Sequence, residues 1–243
     1  MIIINADDWG RTRYETDMAL SCYRVGSISS ATAMVFMEDS DRAAELADEA
    51  GIDLGLHLNL SQPFTGEVNS ATVRADHECV VKFITSSKYS RCLYNPALRR
   101  RFHGTFQAQL DEFLRLYRRR PSHIDGHHHT HLCTNILLDR IIPRNEKVRR
   151  SFSFKAGDKG MVNWTYRRLV DAALTRRYQV TDYFFSLQDG LRDKRLGEMF
   201  ALSRNSIVEV MTHPADSVEY AYLMSESCAG ALKTLRLGTY SSL

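Results

Sequence analysis

Short apolar runs alternate with amphipathic stretches along this chain, and several of the runs end abruptly in polar residues. The first is Ile2-Ile3-Ile4, which passes directly into Asn5-Ala6-Asp7-Asp8. That pattern fits a buried strand delivering its polar end to a surface. Residues 16–24 have helical composition, and Gly26 is placed to cap them. Residues 28–36 read as a second strand. A helix from Ser40 shows a small-residue face of Ala43, Ala44, Leu46, Ala47 and Ala50, and Gly51 stops it. Leu54, Leu56, Leu58 and Leu60 alternate strictly, so a third strand carries His57 on the face opposite the leucines. Phe106, Leu110, Phe113, Leu114 and Tyr117 recur at helical spacing. After Pro121, residues 122–131 read as a strand and its exit. Residues 180–185 and 207–212 are later strand candidates, and 166–176 and 229–237 are helical.

Strand and helix thus alternate over most of the chain, which predicts an α/β fold with a parallel sheet and helices outside. A chain of 243 residues is long enough for a single β/α barrel domain, and residues 1–243 are expected to form one. In such a barrel the loops leaving the strands build the active site, so distant polar clusters can converge there. The stretch 61–104 is polar, long and weakly periodic, and reads as an insertion or lid over that site.

Composition narrows the function classes. The chain is 44% hydrophobic with a net charge of +3, small for its length. Its arginine runs (Arg99-Arg100-Arg101, Arg118-Arg119-Arg120, Arg149-Arg150) are scattered and lack the spacing of an RNA-binding signature. They read as solvated helix ends, and no nucleic-acid partner is expected. The five cysteines form no C-x-x-C pair, which suits free thiols in a reducing compartment. With no apparent leader and no membrane span, the cytoplasm is the default location. A homodimer is expected only because dimers are the commonest assembly.

Four polar clusters carry candidate chemistry. Asp7-Asp8 could simply start a helix, since aspartate is a good N-cap. Alternatively, one carboxylate holds a metal while the other faces an attacking water. His57 alone would more often be a hydrogen-bonded structural residue. His127-His128-His129 with His131 is harder to ascribe to chance, and a metal ligand is expected within it. If that run stays extended, His127, His129 and His131 share a side and His128 points away. His213, before Pro214, is either an ordinary loop histidine or an acid working near neutral pH. Together, one aspartate and two histidines make a three-ligand set that leaves positions open for water and substrate. The spare carboxylate and spare histidine complete an inventory for hydrolysing an amide or ester.

Asn5-Ala6-Asp7-Asp8-Trp9-Gly10, Gly55-Leu56-His57-Leu58-Asn59-Leu60, the run from His123 to His131 and Thr212-His213-Pro214 resemble the motifs of the YdjC/ChbG-like carbohydrate deacetylases, in order, over most of the chain. The resemblance implies a distorted β/α (TIM-like) barrel with its site at the C-terminal ends of the strands. It also implies one divalent metal, usually magnesium, and removal of N-acetyl groups from sugars such as chitooligosaccharides. Carried onto this chain, it makes His57, His127 and Asp8 the metal ligands, Asp7 the catalytic base and His213 the acid. Asp125 would orient a histidine. Trp9 stands where phenylalanine is common in that family. A histidine-rich ligand set suits zinc or another transition metal better than magnesium, which prefers oxygen. The alternatives are an amidohydrolase- or phosphoesterase-like metal hydrolase, whose histidine pair would normally follow the first strand, and a sugar- or metal-binding protein without turnover.

Overall fold

The computed structural model describes residues 1–153, 168 and 170–243. Six parallel strands lie side by side in the order β4-β3-β2-β1-β6-β5. They are β1 (Ile2–Trp9), β2 (Ser30–Ala33), β3 (Asp53–Leu58), β4 (Ile124–Gly126), β5 (Tyr183–Ser186) and β6 (Val208–Thr212). The sheet curls, and residues 146–153 bridge the space between its two edges without forming a regular strand. Ile124 N donates to Lys147 O at 2.8 Å, and Arg149 N donates to Ile124 O at 3.1 Å. On the other side, Val148 N donates to Gln179 O and Ser153 N to Phe184 O, both at 2.9 Å. The result is the expected distorted barrel, irregular on the side of this segment.

Helices follow the strands as the periodicity predicts. Thr12 caps α1 (Arg13–Arg24) through its side chain, and Gly26, at φ 76°, turns the chain out beyond it. In α2 (Ser40–Ala50) the buried face is Ala43, Ala44 and Ala47, and Gly51 ends the helix at φ 67°. β4 takes only Ile124–Gly126 of the expected 122–131, and the helix expected at 229–237 runs instead over Glu226–Leu232. β2 is shorter than the expected span of 28–36. Phe36 takes a left-handed φ of 60°, which extended pairing cannot accommodate. The expected helix at 166–176 lies partly outside the described residues; Arg168 and residues 170–175 are helical.

The stretch 61–104 contains α3 (Ala71–Thr85), two single 3-10 turns and the start of α4 (Arg99–Tyr117). It supplies much of the crossover from β3 to β4, with α3 packed against α4. Its periodicity is weak in sequence because α3 buries only His77, Val80 and Ile84. Among the described residues, no helix is long and apolar enough to cross a membrane.

The leucines of β3 join the large apolar cluster with Ile2, Ile4, Phe102, Phe106 and Phe113. The opposite faces of the strands hold an inner polar layer that is almost fully buried: Asn5, Asp7, Thr32, His57, Asp125 and Glu209. Burying that much polarity is tolerable only where each group finds a partner. The partners define the site.

Candidate active site

The site begins with a break in strand alternation. β1 pairs regularly with β2 up to Ala6 and then slips in register before Trp9. Within the slip, Asp8 sits at a left-handed φ of 68°, a conformation that aspartate tolerates better than most residues. Neighbouring side chains of a regular strand would diverge to opposite faces. Here both carboxylates come close to one atom, His57 Nε2: Asp8 Oδ1 at 3.4 Å and Asp7 Oδ2 at 4.0 Å.

The two aspartates have different surroundings. Arg149 grips Asp7 with both Nη atoms, each at 2.7 Å, and Asn5 Nδ2 donates to Asp7 Oδ1 at 2.9 Å. Burial disfavours the charged carboxylate, yet Arg149 and His57 outweigh it and hold the Asp7 pKa below its ordinary value. Asp8 accepts from Arg11 at 2.7 Å on Oδ2 only. Its Oδ1 is buried, 2.9 Å from His127 Nδ1, and makes no aligned hydrogen bond. Burial opposes ionisation here too, but the two imidazoles keep the Asp8 carboxyl well below the usual carboxylate range.

His57 leaves β3 opposite Asp125 of β4, its register partner. Its Nδ1 lies 2.7 Å from Asp125 Oδ1. An ionised carboxylate only accepts, so Nδ1 carries a proton and Nε2 is left facing Asp8. Burial works against charge on this ring, but Asp125 and Asp7 overcome it and raise the pKa to about 10. The surroundings therefore favour positive charge at Nε2, whether a proton or a metal ion supplies it.

His127 opens a tight 3-10 turn (His127–Leu132), not an extended exit. The expectation that His127, His129 and His131 share a side is corrected accordingly. His128 and His129 adopt left-handed φ values of 52° and 57°, which curl the run back on itself. A Cβ on Gly126 would come within 2.7 Å of His131 N, so the turn needs glycine there. His127 alone of the run joins Asp8. His128 is exposed and meets Ser61 Oγ at 3.0 Å, His129 packs edge-on to Phe152, and buried His131 Nε2 donates to Arg149 O at 3.0 Å.

Ligand atoms of Asp8, His57 and His127 all lie within 4.8 Å of one another. Asp7, His57 and Asp125 meet the same distance, but Arg149 occupies both of those carboxylates. The first set fits a cation: it has a buried carboxylate oxygen without an aligned hydrogen bond, two imidazoles and a local excess of buried carboxylates. Three protein ligands also leave coordination positions free.

The set opens into a cleft of about 410 Å³ lined also by Asp7, Arg11, Arg91, His128, His129, Met211 and His213. His213 follows β6, with 42% of its side chain exposed and Nδ1 3.9 Å from Glu219 Oε1. Burial pulls its pKa down, but Glu219 and the more distant Asp7 and Asp8 raise it above the ordinary value. All four clusters read from the sequence thus meet at one face of the barrel.

A profile described as "YdjC-like protein" matches residues 1–234. The chain belongs to the YdjC-like family. It is 30% identical to a carbohydrate deacetylase of Vibrio cholerae serotype O1 (strain M66-2), an alignment covering 96% of this chain and 83% of the relative. A chitooligosaccharide deacetylase of Proteus mirabilis is 26% identical, with 100% and 92% covered. Among solved structures, a protein of Enterococcus faecalis V583 titled for cellobiose-phosphate cleavage superposes with a TM-score of 0.69. The match covers 99% of this chain and 97% of that one, and at 20% identity it bears on the fold alone.

In this YdjC-like chain, sequence reasoning missed Arg149. Read as part of a solvated arginine pair, it is fully buried at the centre of the ionic cluster, touching Asp7, Asp125 and Glu209. No local signal marked it, because it follows the mostly polar stretch Pro143-Arg144-Asn145-Glu146-Lys147-Val148. Glu209 was likewise overlooked inside Val208-Glu209-Val210, where a lone acid in an apolar strand marks a buried partner. The other arginine runs do lie exposed at the ends of α4.

Proposed function

We propose that the protein is a metal-dependent hydrolase that removes an N-acetyl group from an amino sugar or a short chitooligosaccharide. One observation carries the reading: the ligand set Asp8, His57 and His127 shares a single cleft with a spare carboxylate, Asp7, and a spare imidazole, His213. The names of its relatives in the family support the substrate class.

Asp8, His57 and His127 would hold the ion. When bound, a divalent metal there would polarise the acyl carbonyl and make water more acidic. The imidazole-rich donors favour zinc or a similar transition ion, while the family resemblance favours magnesium. Asp7 is ionised at neutral pH and adjoins the ligand set, which suits it to take the proton of an attacking water. Arg149 holds both of its oxygens, so the carboxylate keeps a fixed orientation. His213, on the open side of the cleft, has a raised pKa and can hold a proton for the departing amine.

Proton NMR of N,N′-diacetylchitobiose mixed with metal-loaded protein tests this reading. A free acetate signal should grow as the N-acetyl methyl signal falls. An unchanged spectrum for this sugar and for N-acetylglucosamine would remove its basis.

A further inference from the structure

Tyr240 lies in the last turn of the chain (Tyr240–Ser242), yet it is fully buried. Its ring stacks on His123 at 3.6 Å, and its carbonyl accepts from Lys147 Nζ at 2.6 Å. Beside it, Ser241 Oγ donates to Asp53, the first residue of β3. His123 likewise precedes β4. The tail therefore closes the barrel at the N-terminal ends of the strands, opposite the face where Asp8, His127 and His213 emerge.

From this floor a line of contacts rises through the interior. The Tyr240 hydroxyl donates to Glu209 Oε2. Glu209 sits in β6 opposite Ile3, one strand register below Ile4 and well beneath Asp7. Its other oxygen accepts from Arg149 Nε at 2.7 Å. The same guanidinium then grips Asp7 at 2.7 Å with each Nη and reaches Asp125 at 2.6 Å. Phe184 lies 5.0 Å from the guanidinium carbon and limits the remaining space.

The geometry points to a positioning role for Glu209 and Tyr240: they fix Arg149 from below, and through it hold Asp7 in one orientation toward the cleft. The inference rests on the reading of Asp7 as the base. A guanidinium is planar, so anchoring Nε sets the direction in which both Nη atoms point. Asp7 is gripped on both oxygens, and its plane follows that of the guanidinium. Without Glu209, Arg149 could swing toward Asp125 and let Asp7 turn. Without the Tyr240 hydroxyl, Glu209 would have no partner on its lower oxygen. Small displacements at a reacting centre are costly in rate.

The test uses full-length, metal-loaded protein and the variants Tyr240→Phe, Glu209→Gln and Asp7→Asn. Tyr240→Phe keeps the ring on His123 and removes only the hydroxyl. Three quantities are read: kcat and KM for acetate release from N,N′-diacetylchitobiose, bound metal, and solvent exchange of the Arg149 Nε–H by ¹⁵N NMR. Tyr240→Phe and Glu209→Gln should each lower kcat on the order of tenfold with KM and metal content unchanged. Both should also speed Nε–H exchange. Wild-type kcat and wild-type exchange in both variants overturn the inference, even if thermal stability drops, because a brace alone would affect only stability. Should Tyr240→Phe fail to fold, Glu209→Gln decides. A fully active Asp7→Asn would instead mark failure of the base reading, and the Arg149 exchange would then decide the anchoring alone.

Discussion

His57 Nδ1 lies 2.7 Å from Asp125 Oδ1, on the side of the ring away from Asp8. A carboxylate in that position fixes the tautomer and raises the ligand strength of the opposite nitrogen. Asp125→Asn should therefore weaken metal binding by about 10–100-fold while leaving all three proposed ligands in place. Calorimetric titration of metal into the stripped variant checks this. An unchanged affinity would show that Asp125 serves only to neutralise Arg149.

The roles of Asp7 and His57 separate under substitution. Asp7→Asn should keep the metal and lose about 10²–10⁴ in kcat, the range of a missing general base. His57→Ala should lose the metal itself. Elemental analysis of untagged protein beside the kinetics distinguishes them, and a fully active Asp7→Asn would end the assignment of that residue.

As the proposed acid, His213 should set the pH dependence. Arg11 lines the same cleft, and the acidic groups that act on His213 are Glu219, Asp7, Asp8 and Glu15. Their charge raises its pKa above the ordinary 6.5. An acid must be protonated to act, so kcat should hold below that raised pKa and fall as pH rises through it. His213→Gln should lower kcat by roughly 10² and abolish that alkaline limb. A variant that retains the limb would assign it to another group.

Arg149 is the stability prediction. It is fully buried and is the shared partner of Asp7, Asp125 and Glu209. Glu209 is already pushed up to about 7 by burial, which Arg149 and Tyr240 only partly offset. Arg149→Met removes the cation and leaves buried carboxylates facing one another. The expected cost is about 3–5 kcal/mol, or roughly 6–20 °C in Tm for a protein of this size. Thermal denaturation followed by circular dichroism measures it, and a shift of under a degree would mean that the cluster rearranges freely.

Much of this arrangement was legible in the sequence because it follows from local pattern. The alternating leucines of β3 put His57 on the inner face, and the apolar run at Ile2 delivered Asp7 and Asp8 to the mouth of the barrel. What failed to show were features set by the long-range fold. The slip in β1 that turns both aspartates toward His57 depends on pairing with β2 and on a left-handed Asp8. The curl of His127–Leu132 depends on His131 reaching Arg149 O. Arg149 itself looked like a surface charge, since nothing near it in sequence reveals the three acids drawn from β1, β4 and β6. The stretch 61–104 hid α3 for the opposite reason: a helix packed along a narrow face shows little periodicity.

Acetate release from N,N′-diacetylchitobiose, measured in untagged protein before and after EDTA and again on adding back zinc or magnesium, tests the central claim most directly. The account predicts release that stops on chelation and returns in proportion to the metal bound. Release undiminished by complete removal of metal, or none from any acetylated sugar with metal fully bound, would contradict it.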